Sequence, residues 1–245
     1  VALLASQEVS ERSFLLMEAA DTNLKEFWST ARDGPMPLSE SLPILIDLLR
    51  GARDVGQAGI VHAAISEENI LMKGGRPLFS DFGAAAVVSE TDRAFGTRSA
   101  HRIPGISQYS LPPETIRGLP TGTSNNVWQV GAVFAKMCLG YIPMESFVKR
   151  VSPDLAEREW EPEVDDLVQD LVRQKFSVAQ DAGVAALEDD AKRLIEGMLQ
   201  TTPESRWGAV GALQEAIAIA ERQGIEVPPE RAPFELPVPW SSDWE

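Results

Sequence analysis

The stretch GIVHAAISEENILMKGGRPLFSDFG, residues 59–83, constrains the fold of this chain more than any other part of it. The short extended runs GIVH, NILM and PLFS predict three strands, and Gly74-Gly75 between the last two predicts a hairpin turn. Three polar or turn-forming features lie at the ends of these strands: a histidine at 62, an asparagine seven residues later and the tripeptide DFG at 81–83. Each short pattern is common by itself, whereas the whole set at this spacing is a specific signal.

Predicted strands and helices divide the rest of the chain into a small β-rich start and a long helical remainder. The runs VALLA and SFLLMEA predict two strands, separated by the polar connection SQEVSER. TNLKEFWSTA predicts a helix capped by Thr22 or Asn23, and SESLPILIDLLRGARDV predicts a longer helix. Residues 84–120 are punctuated by glycine and proline and predict a long loop. Helices dominate again from Ser124 onward.

Charge and hydropathy exclude two classes of function. The formal net charge is -15, which argues against non-specific binding to nucleic acid or to an anionic membrane surface, because both need an excess of Lys and Arg. The most apolar long stretch, residues 127–144, contains Gln129 and Lys136. It is too polar and too short for a membrane span, and it predicts the buried central helix of a helical domain.

Three further motifs follow the first block, the second of them twelve residues after Glu114. They are LPPE at 111–114, NVWQVG at 126–131 and TTPESRW at 201–207. Together with H-x₆-N and DFG, this series resembles the protein kinase superfamily, in which the catalytic loop reads H-R-D-L-x-x-x-N and is followed by D-F-G and A-P-E. LLMEAADTNLKEF resembles the hinge strand and the helix after it. The P-P-E spelling and NVWQVG resemble the rhoptry-type kinases of intracellular parasites.

The resemblance covers the hinge and the C-terminal lobe of a kinase. It implies an α+β, protein-kinase-like fold: a mainly α-helical C-lobe with a remnant of the N-lobe β-sheet. Residues 1–20 would form the remnant strands and the hinge, residues 21–223 the C-lobe, and residues 224–245 a Pro-rich tail that is either an extended strap or a flexible end.

Several residues match the positions that hold a kinase C-lobe together. Glu114 and Arg206 match a buried ion pair that ties the activation segment to the helical subdomain. Asn126 replaces an aspartate that accepts backbone N–H groups of the catalytic loop, and its carbonyl oxygen can still accept one. The full structural set implied by the resemblance is His62, Phe82, Gly83, Glu114, Asn126, Trp128, Gly131 and Arg206. His62 is expected as a packed core histidine.

Three positions of the phosphate-transfer loop depart from the kinase pattern. The aspartate that accepts the proton of the substrate hydroxyl is Ala64 here, and a methyl group cannot accept a proton. General-base assistance is worth roughly 10²–10⁴ in rate. The lysine that neutralises the transferring phosphate is Ser66, and the arginine that reads a phosphorylated activation loop is Ala63.

Ligand binding is implied only in a reduced form. Asn69 and Asp81 match the residues that hold Mg²⁺ in kinases. Their alternative role is local: Asn69 would bond the backbone of its own loop and Asp81 would cap a turn. The hinge and the adenine floor would be Met17, Glu18, Ala20 and Leu71. The expected cofactor is none, or a vestigial Mg·ATP.

Two hypotheses of function follow. The first is a pseudokinase, not an enzyme, that serves as a protein-interaction scaffold or structural subunit, with a protein partner that covers the strand edge at residues 1–18. The second is a divergent active kinase or nucleotide-binding regulator whose N-lobe lies upstream of Val1. Neither hypothesis includes a nucleic-acid partner or a membrane span.

Overall fold

Helices dominate the second half of the molecule, and all described strands precede residue 88. A computed structural model describes residues 3–9, 12–88, 107–116, 122–157 and 162–231. The strands are β1 (Leu3–Val9), β2 (Arg12–Met17), β3 (Thr22–Asn23), β4 (Ile60–Val61), β5 (Ile70–Lys73), β6 (Arg76–Phe79) and β7 (Ala86–Val87). The helices are α1 (Leu24–Ala31), α2 (Leu38–Gln57), α3 (Pro113–Ile116), α4 (Ser124–Leu139), α5 (Pro143–Val151), α6 (Pro153–Glu157), α7 (Pro162–Lys175), α8 (Ala182–Ala186), α9 (Asp189–Met198) and α10 (Ala209–Gln223).

Helix α4 is the centre of the core. Almost every one of its residues is buried, and the helix packs against α2, α9 and α10. Gly131 permits the contact with α9, because a Cβ there would lie 2.7 Å from the Cβ of Met198. The helix ends at Gly140, which has a left-handed backbone with φ of 83°. The predicted apolar stretch 127–144 is therefore one helix only as far as Leu139, and α5 begins at Pro143.

The strands form three small sheets. β5 and β6 pair antiparallel around Gly74 and Gly75, whose φ angles of 57° and 74° suit glycine, so the predicted hairpin turn is confirmed. β3 joins this hairpin through β5, and β4 pairs with β7. β1 and β2 pair only with each other among the described residues.

The polar connection predicted between β1 and β2 is largely strand. β1 continues to Val9 and β2 begins at Arg12, with Gln7 opposite Phe14. The prediction was wrong because it judged the segment by its polarity, whereas an antiparallel ladder is built from backbone hydrogen bonds and one face of it tolerates polar side chains.

The predicted long loop at 84–120 contains short regular elements where it is described. β7 lies near its start, a 3₁₀ turn covers Gln108–Ser110, and α3 carries Glu114. Its remaining parts, residues 89–106 and 117–121, lie outside the described residues.

Helices α1 and α10 begin or end at residues of the expected kind. The side chain of Asn23 accepts a hydrogen bond from the backbone N–H of Glu26 at 2.8 Å, so Asn23, one of the two predicted candidates, caps α1. Gly224, with φ of 68°, ends α10. Residues 225–231 then run back over α2, and residues 232–245 lie outside the described part of the chain. The domain boundaries at 20 and 223 stay predictions.

Membrane-spanning potential is limited in the described residues. No single helix there is both long and apolar enough to cross a bilayer; α4 and α5, bent by 78°, satisfy length and composition only as a pair.

Candidate functional site

A buried loop connects β4 to the hairpin and forms the floor of the candidate site. Residues 61–67 are all buried, including Ala63, Ala64 and Ser66. Ala63 has a left-handed backbone with φ of 61°, which is unfavourable for a residue with a Cβ. Because the loop is buried, each of its backbone N–H and C=O groups needs a partner inside the protein.

Two amide side chains of α4 supply several of these partners. Asn126 Nδ2 donates to the carbonyl of Ile60 at 2.9 Å, and its Oδ1 accepts from the N–H of His62 at 2.9 Å. Gln129 Nε2 donates to the carbonyl of Ala63 at 3.1 Å, and its Oε1 accepts from the N–H of Ile65 at 3.3 Å. An amide both donates and accepts, whereas an ionised carboxylate only accepts, so the asparagine at 126 can donate to the Ile60 carbonyl and an aspartate there could not.

Ala64 presents only a methyl group and backbone atoms to the loop. Its side chain is buried, and its carbonyl accepts a hydrogen bond from Asn69 Nδ2 at 3.0 Å. The side chain of Ser66 helps to close the following turn through a 3.4 Å contact with the N–H of Asn69. No charge stands at positions 63, 64 or 66. The loop can therefore hold its neighbours in place, but it offers no proton acceptor at the position where a kinase has its catalytic aspartate.

Asn69 precedes β5 and Asp81 follows β6, so both residues lie at the open end of the hairpin, away from the turn. Ser80 links this end through its hydrogen bonds to Asn69. The backbone N–H and the hydroxyl of Ser80 both donate to the carbonyl of Asn69, at 3.0 and 2.7 Å. Asp81 follows with φ of 57° and ψ of 69°, and its Oδ1 accepts from the N–H of Gly83 at 3.3 Å. The Asp81 side chain is exposed. Both predicted local roles are thus observed, and the carboxylate also remains open to solvent.

His62 is fully buried next to these two residues. Its ring lies 4.4 Å from that of Phe82 and 5.5 Å from that of Phe79, measured between centroids. Nδ1 accepts from the N–H of Ala64 at 3.3 Å. Burial lowers the pKa of His62, which keeps the ring neutral. The Phe82 ring is 45% exposed, so it covers His62 on one side and faces solvent on the other.

The predicted hinge residues lie beside the turn of the hairpin. Glu18 forms an ion pair with Lys73, which lowers the pKa of the exposed Glu18 carboxyl. Met17 is exposed and Ala20 is half-buried. Leu71 pairs with Asn23 in the sheet and is half-buried. The structure therefore brings Glu18 near β5, while a role for these four residues in binding adenine stays a prediction.

Glu114 and Arg206 form a buried, bidentate ion pair. The distances are 2.7 Å from Nη1 to Oε1 and 3.0 Å from Nη2 to Oε2, and the Arg206 side chain is 0% exposed. Nε donates to the carbonyl of Gln200 at 3.0 Å, and the guanidinium lies 4.9 Å from the centre of the Trp128 ring. Each of the three guanidinium nitrogens therefore donates at least one hydrogen bond, as a buried charge requires.

Two polar residues of α4 were missed as loop anchors in the sequence. Gln129 bonds the loop backbone as described, and Lys136 pairs with the buried carboxylate of Glu67. Both had been noticed only as residues that make the stretch too polar for a membrane. Their spacing was the available signal, because residues 126, 129 and 136 lie on one face of a helix and that face had to meet something polar.

Comparison with known proteins identifies the family. The family model described as "Protein kinase domain" matches residues 1–217. The chain belongs to the protein kinase family. The expected α+β, kinase-like fold is thereby confirmed. The resemblance to the rhoptry-type kinases stays a prediction.

Individual relatives match about half of the chain. Homeodomain-interacting protein kinase 1 of Caenorhabditis elegans is 30% identical over 132 residues, which are 52% of this chain and 15% of that protein. Homeodomain-interacting protein kinase 4 of Mus musculus is 28% identical over 134 residues, 52% of this chain and 21% of that protein. The chain thus spans a small part of the length of these relatives, and it shares with them part of a kinase domain.

The expectation that this chain is not an enzyme is wrong. The family match and relatives named as protein kinases point to an enzyme. The expectation rested on Ala63, Ala64 and Ser66, and it gave them too much weight. Phosphoryl transfer depends mainly on positioning and on electrostatic stabilisation of the phosphates, so the loss of a base lowers the rate by a bounded factor of roughly 10²–10⁴.

Proposed function

We propose that this chain is the C-lobe of a divergent protein kinase that binds a Mg·nucleotide through Asn69 and Asp81. Residues that cover the phosphates from the other side would be supplied by an N-lobe. In the transfer, the γ-phosphoryl group of ATP would pass to a substrate hydroxyl, ADP would leave, and the hydroxyl proton would go to solvent. Without a carboxylate base the rate would be about 10²–10⁴ below that of a kinase that has one.

The observation that carries the proposal is the state of Asp81. It is exposed and held in a left-handed backbone conformation directly after the hairpin, beside Asn69. Asn69 uses its donor, Nδ2, on the carbonyl of Ala64, and no hydrogen bond reaches its Oδ1 from the described residues. Carboxylate and amide oxygens are the ligands that Mg²⁺ prefers. Two such oxygens at the adjoining ends of one hairpin support a cation bridging to phosphate.

The described part of the chain contains no cluster of three or more His, Cys, Asp or Glu residues that could hold a metal by itself. This agrees with a site in which the nucleotide supplies part of the coordination, because Mg²⁺ is usually bound by one or two carboxylates together with substrate phosphates. The proposal therefore requires metal and nucleotide to bind together.

The test is calorimetric titration of ADP into the full-length protein, once in the presence of Mg²⁺ and once in its absence. We expect binding that depends on Mg²⁺ and that Asp81→Asn weakens by about tenfold or more. Asp54→Asn is the matched control, since it removes an exposed carboxylate from α2. Equal affinity in the Asp81→Asn variant, or no binding to the parent protein, would overturn the proposal.

Transfer itself is tested with radiolabelled ATP. We expect slow incorporation into protein that Asp81→Ala abolishes and Asp54→Asn leaves unchanged. Incorporation that survives Asp81→Ala would assign the activity to a contaminating kinase and remove this support.

A second candidate function is protein binding at the first two strands, and one observation favours it. The β1–β2 pair has no further strand beside it in the described residues, and Leu16 and Met17, at the end of β2, are 61% and 44% exposed. Unpaired strand edges with apolar side chains associate with other segments. A partner protein would add a strand there.

Light scattering and dye fluorescence on the purified 245-residue chain test this second candidate. We expect self-association and dye binding, and suppression of both by a partner that covers the strand edge. Leu16→Lys should reduce dye binding, with the exposed Val210→Lys on α10 as control. A dye-free monomer would contradict it.

A further inference from the structure

Residues 225–231 form a segment that we call the C-terminal strap. It begins after Gly224, where the N–H of Ile225 bonds the carbonyl of Ala220 at 2.8 Å. Ile225 and Val227 pack on the core. The strap then crosses from α10 to α2 and the β5–β6 hairpin, so it touches the element that carries Asn69 and Asp81.

The chemistry of the strap matches that of the surface beneath it. Pro228 and Pro229 have no N–H, so their backbone can only accept hydrogen bonds, and guanidinium groups can only donate them. Arg50 Nη1 donates to the carbonyl of Pro228 at 2.7 Å, and Arg76 Nη2 donates to that of Pro229 at 2.7 Å. Each contact is a charge-assisted hydrogen bond, the stronger kind.

A buried carboxylate fixes both arginines. The side chain of Asp47, in α2, is only 3% exposed and accepts from Arg50 at 3.0 Å and from Arg76 at 2.7 Å through two nitrogens. Arg50 belongs to α2, whereas Arg76 is the first residue of β6. Asp47 therefore joins the helix to the hairpin, and the strap closes over the joint.

The last residues of the strap add a direct bond to the hairpin. Arg231 Nη1 donates to the carbonyl of Pro77, in β6, at 2.8 Å. Glu230 pairs with Arg53 at 2.7 Å, and this pair is more exposed. Arg76 and Pro77 lie at the turn end of the hairpin. Asp81 follows two residues after the end of β6, at the opposite end of the hairpin from the turn.

We propose that the C-terminal strap is a positioning segment for the hairpin: by holding the turn end of β5–β6 on α2, it fixes the opposite end, where Asn69 and Asp81 lie. The inference rests on the proposed function for its effect on nucleotide binding. The claim that the strap holds the hairpin on α2 does not depend on nucleotide binding. Loosening the strap lets the hairpin open more often, and it leaves α4 and α9 unaffected.

The test is a variant of the full-length protein with Pro228→Gly, Pro229→Gly and Arg231→Gln. The glycines raise the entropy of the free strap, and the glutamine removes the guanidinium from Pro77. The readout is hydrogen exchange in a peptide covering residues 70–80, with peptides from α4 and α9 as internal references. We expect exchange of the hairpin peptide about tenfold faster, with α4 and α9 unchanged. Glu230→Gln is the control, since it breaks only an exposed pair, and should change exchange less than twofold.

Mg·ADP affinity of the same variant is the second readout, and we expect it to fall about three- to tenfold. Unchanged exchange in the hairpin peptide would overturn the inference. Equal acceleration in α4 and α9 would overturn it too, since the strap would then act on global stability. If the parent protein binds no nucleotide, the proposed function fails, while the exchange measurement still decides whether the strap holds the hairpin.

Discussion

The loop at 62–66 and the anchor formed by Glu114 and Arg206 are both buried and both polar, yet they are held in different ways. The anchor keeps two full charges in a bidentate pair. The loop contains no charge at 63, 64 or 66 and is held by the neutral amides of Asn126 and Gln129. A neutral clamp satisfies a buried backbone without the desolvation cost of ions, whereas a charged pair fails severely when one member is removed. The contrast predicts a graded series of mutational effects.

The largest effect is expected at the anchor. Glu114→Ala or Arg206→Ala leaves an unpaired buried charge and should lower the free energy of unfolding by about 3–5 kcal/mol. The double variant should cost less than the sum of the two, because neither charge is then left alone. Urea unfolding followed by circular dichroism measures all three. Additive effects below 1 kcal/mol would show that the two side chains do not depend on each other.

A smaller but still large effect is expected at the neutral clamp. Gln129→Leu keeps the volume and removes the partners of the Ala63 carbonyl and the Ile65 N–H. Each of the two buried groups left without a partner costs about 1–3 kcal/mol, and burial of the apolar leucine side chain offsets part of this cost, so we expect a loss of about 2–4 kcal/mol. Gln57→Leu, at the exposed end of α2, is the control and should change stability by less than about 0.5 kcal/mol. Equal losses in the two variants would mean that the Gln129 bonds contribute nothing specific.

What the sequence could predict differs between these two regions for a physical reason. The resemblance to the kinase pattern implied Glu114 and Arg206 as partners, and the two side chains lie in contact, although their functional role stays a prediction. The Gly74-Gly75 turn and the central helix were also predictable, because backbone conformation and hydrophobic pattern are local properties. The contacts of Gln129 with the loop and of Asp47 with Arg76 were not found, because these partners lie far away in the sequence and only the folded chain brings them together.

The residue types of the candidate site could be predicted from the sequence, but their contacts and their exposure to solvent could not. The sequence placed Asn69 and Asp81 seven and nineteen residues after His62. It could not show that Ser80 joins them or that the Asp81 carboxylate is exposed. The conclusion about enzyme activity failed for the same reason. Three substitutions were read as decisive, although the positioning parts of the site depend on contacts that single residue types do not reveal.

An intermediate effect with a pH signature is expected at His62. Burial lowers its pKa, so the unfolded chain binds a proton near pH 6 more readily than the folded chain does. The stabilisation that comes from the neutral ring is present above the unfolded pKa of about 6.5, and it is lost as pH falls through that value toward the folded pKa. The loss should approach about 1.4 kcal/mol per pH unit at most.

The pH effect is isolated by comparison with a variant that cannot titrate. His62→Asn removes the titrating group and retains a hydrogen-bond acceptor for the N–H of Ala64. Between pH 7 and 5 its stability should fall less steeply than that of the parent protein. Parallel curves in urea unfolding at several pH values would show that other groups, chiefly carboxylates, account for the whole dependence.

The smallest effect concerns the backbone of the neutral loop itself. Ala63 has φ of 61°, a conformation that costs a residue with a Cβ about 1 kcal/mol and costs glycine almost nothing. Ala63→Gly removes this strain but raises the entropy of the unfolded chain by a similar amount, so we expect a change between zero and about 1 kcal/mol of stabilisation. Ala64→Gly is the matched control: its φ is not positive and its methyl group is buried, so it should destabilise by about 1 kcal/mol. Opposite signs at neighbouring alanines would show that the amides of α4 hold the loop in a strained shape, whereas equal destabilisation would mean that the left-handed backbone at 63 carries no strain.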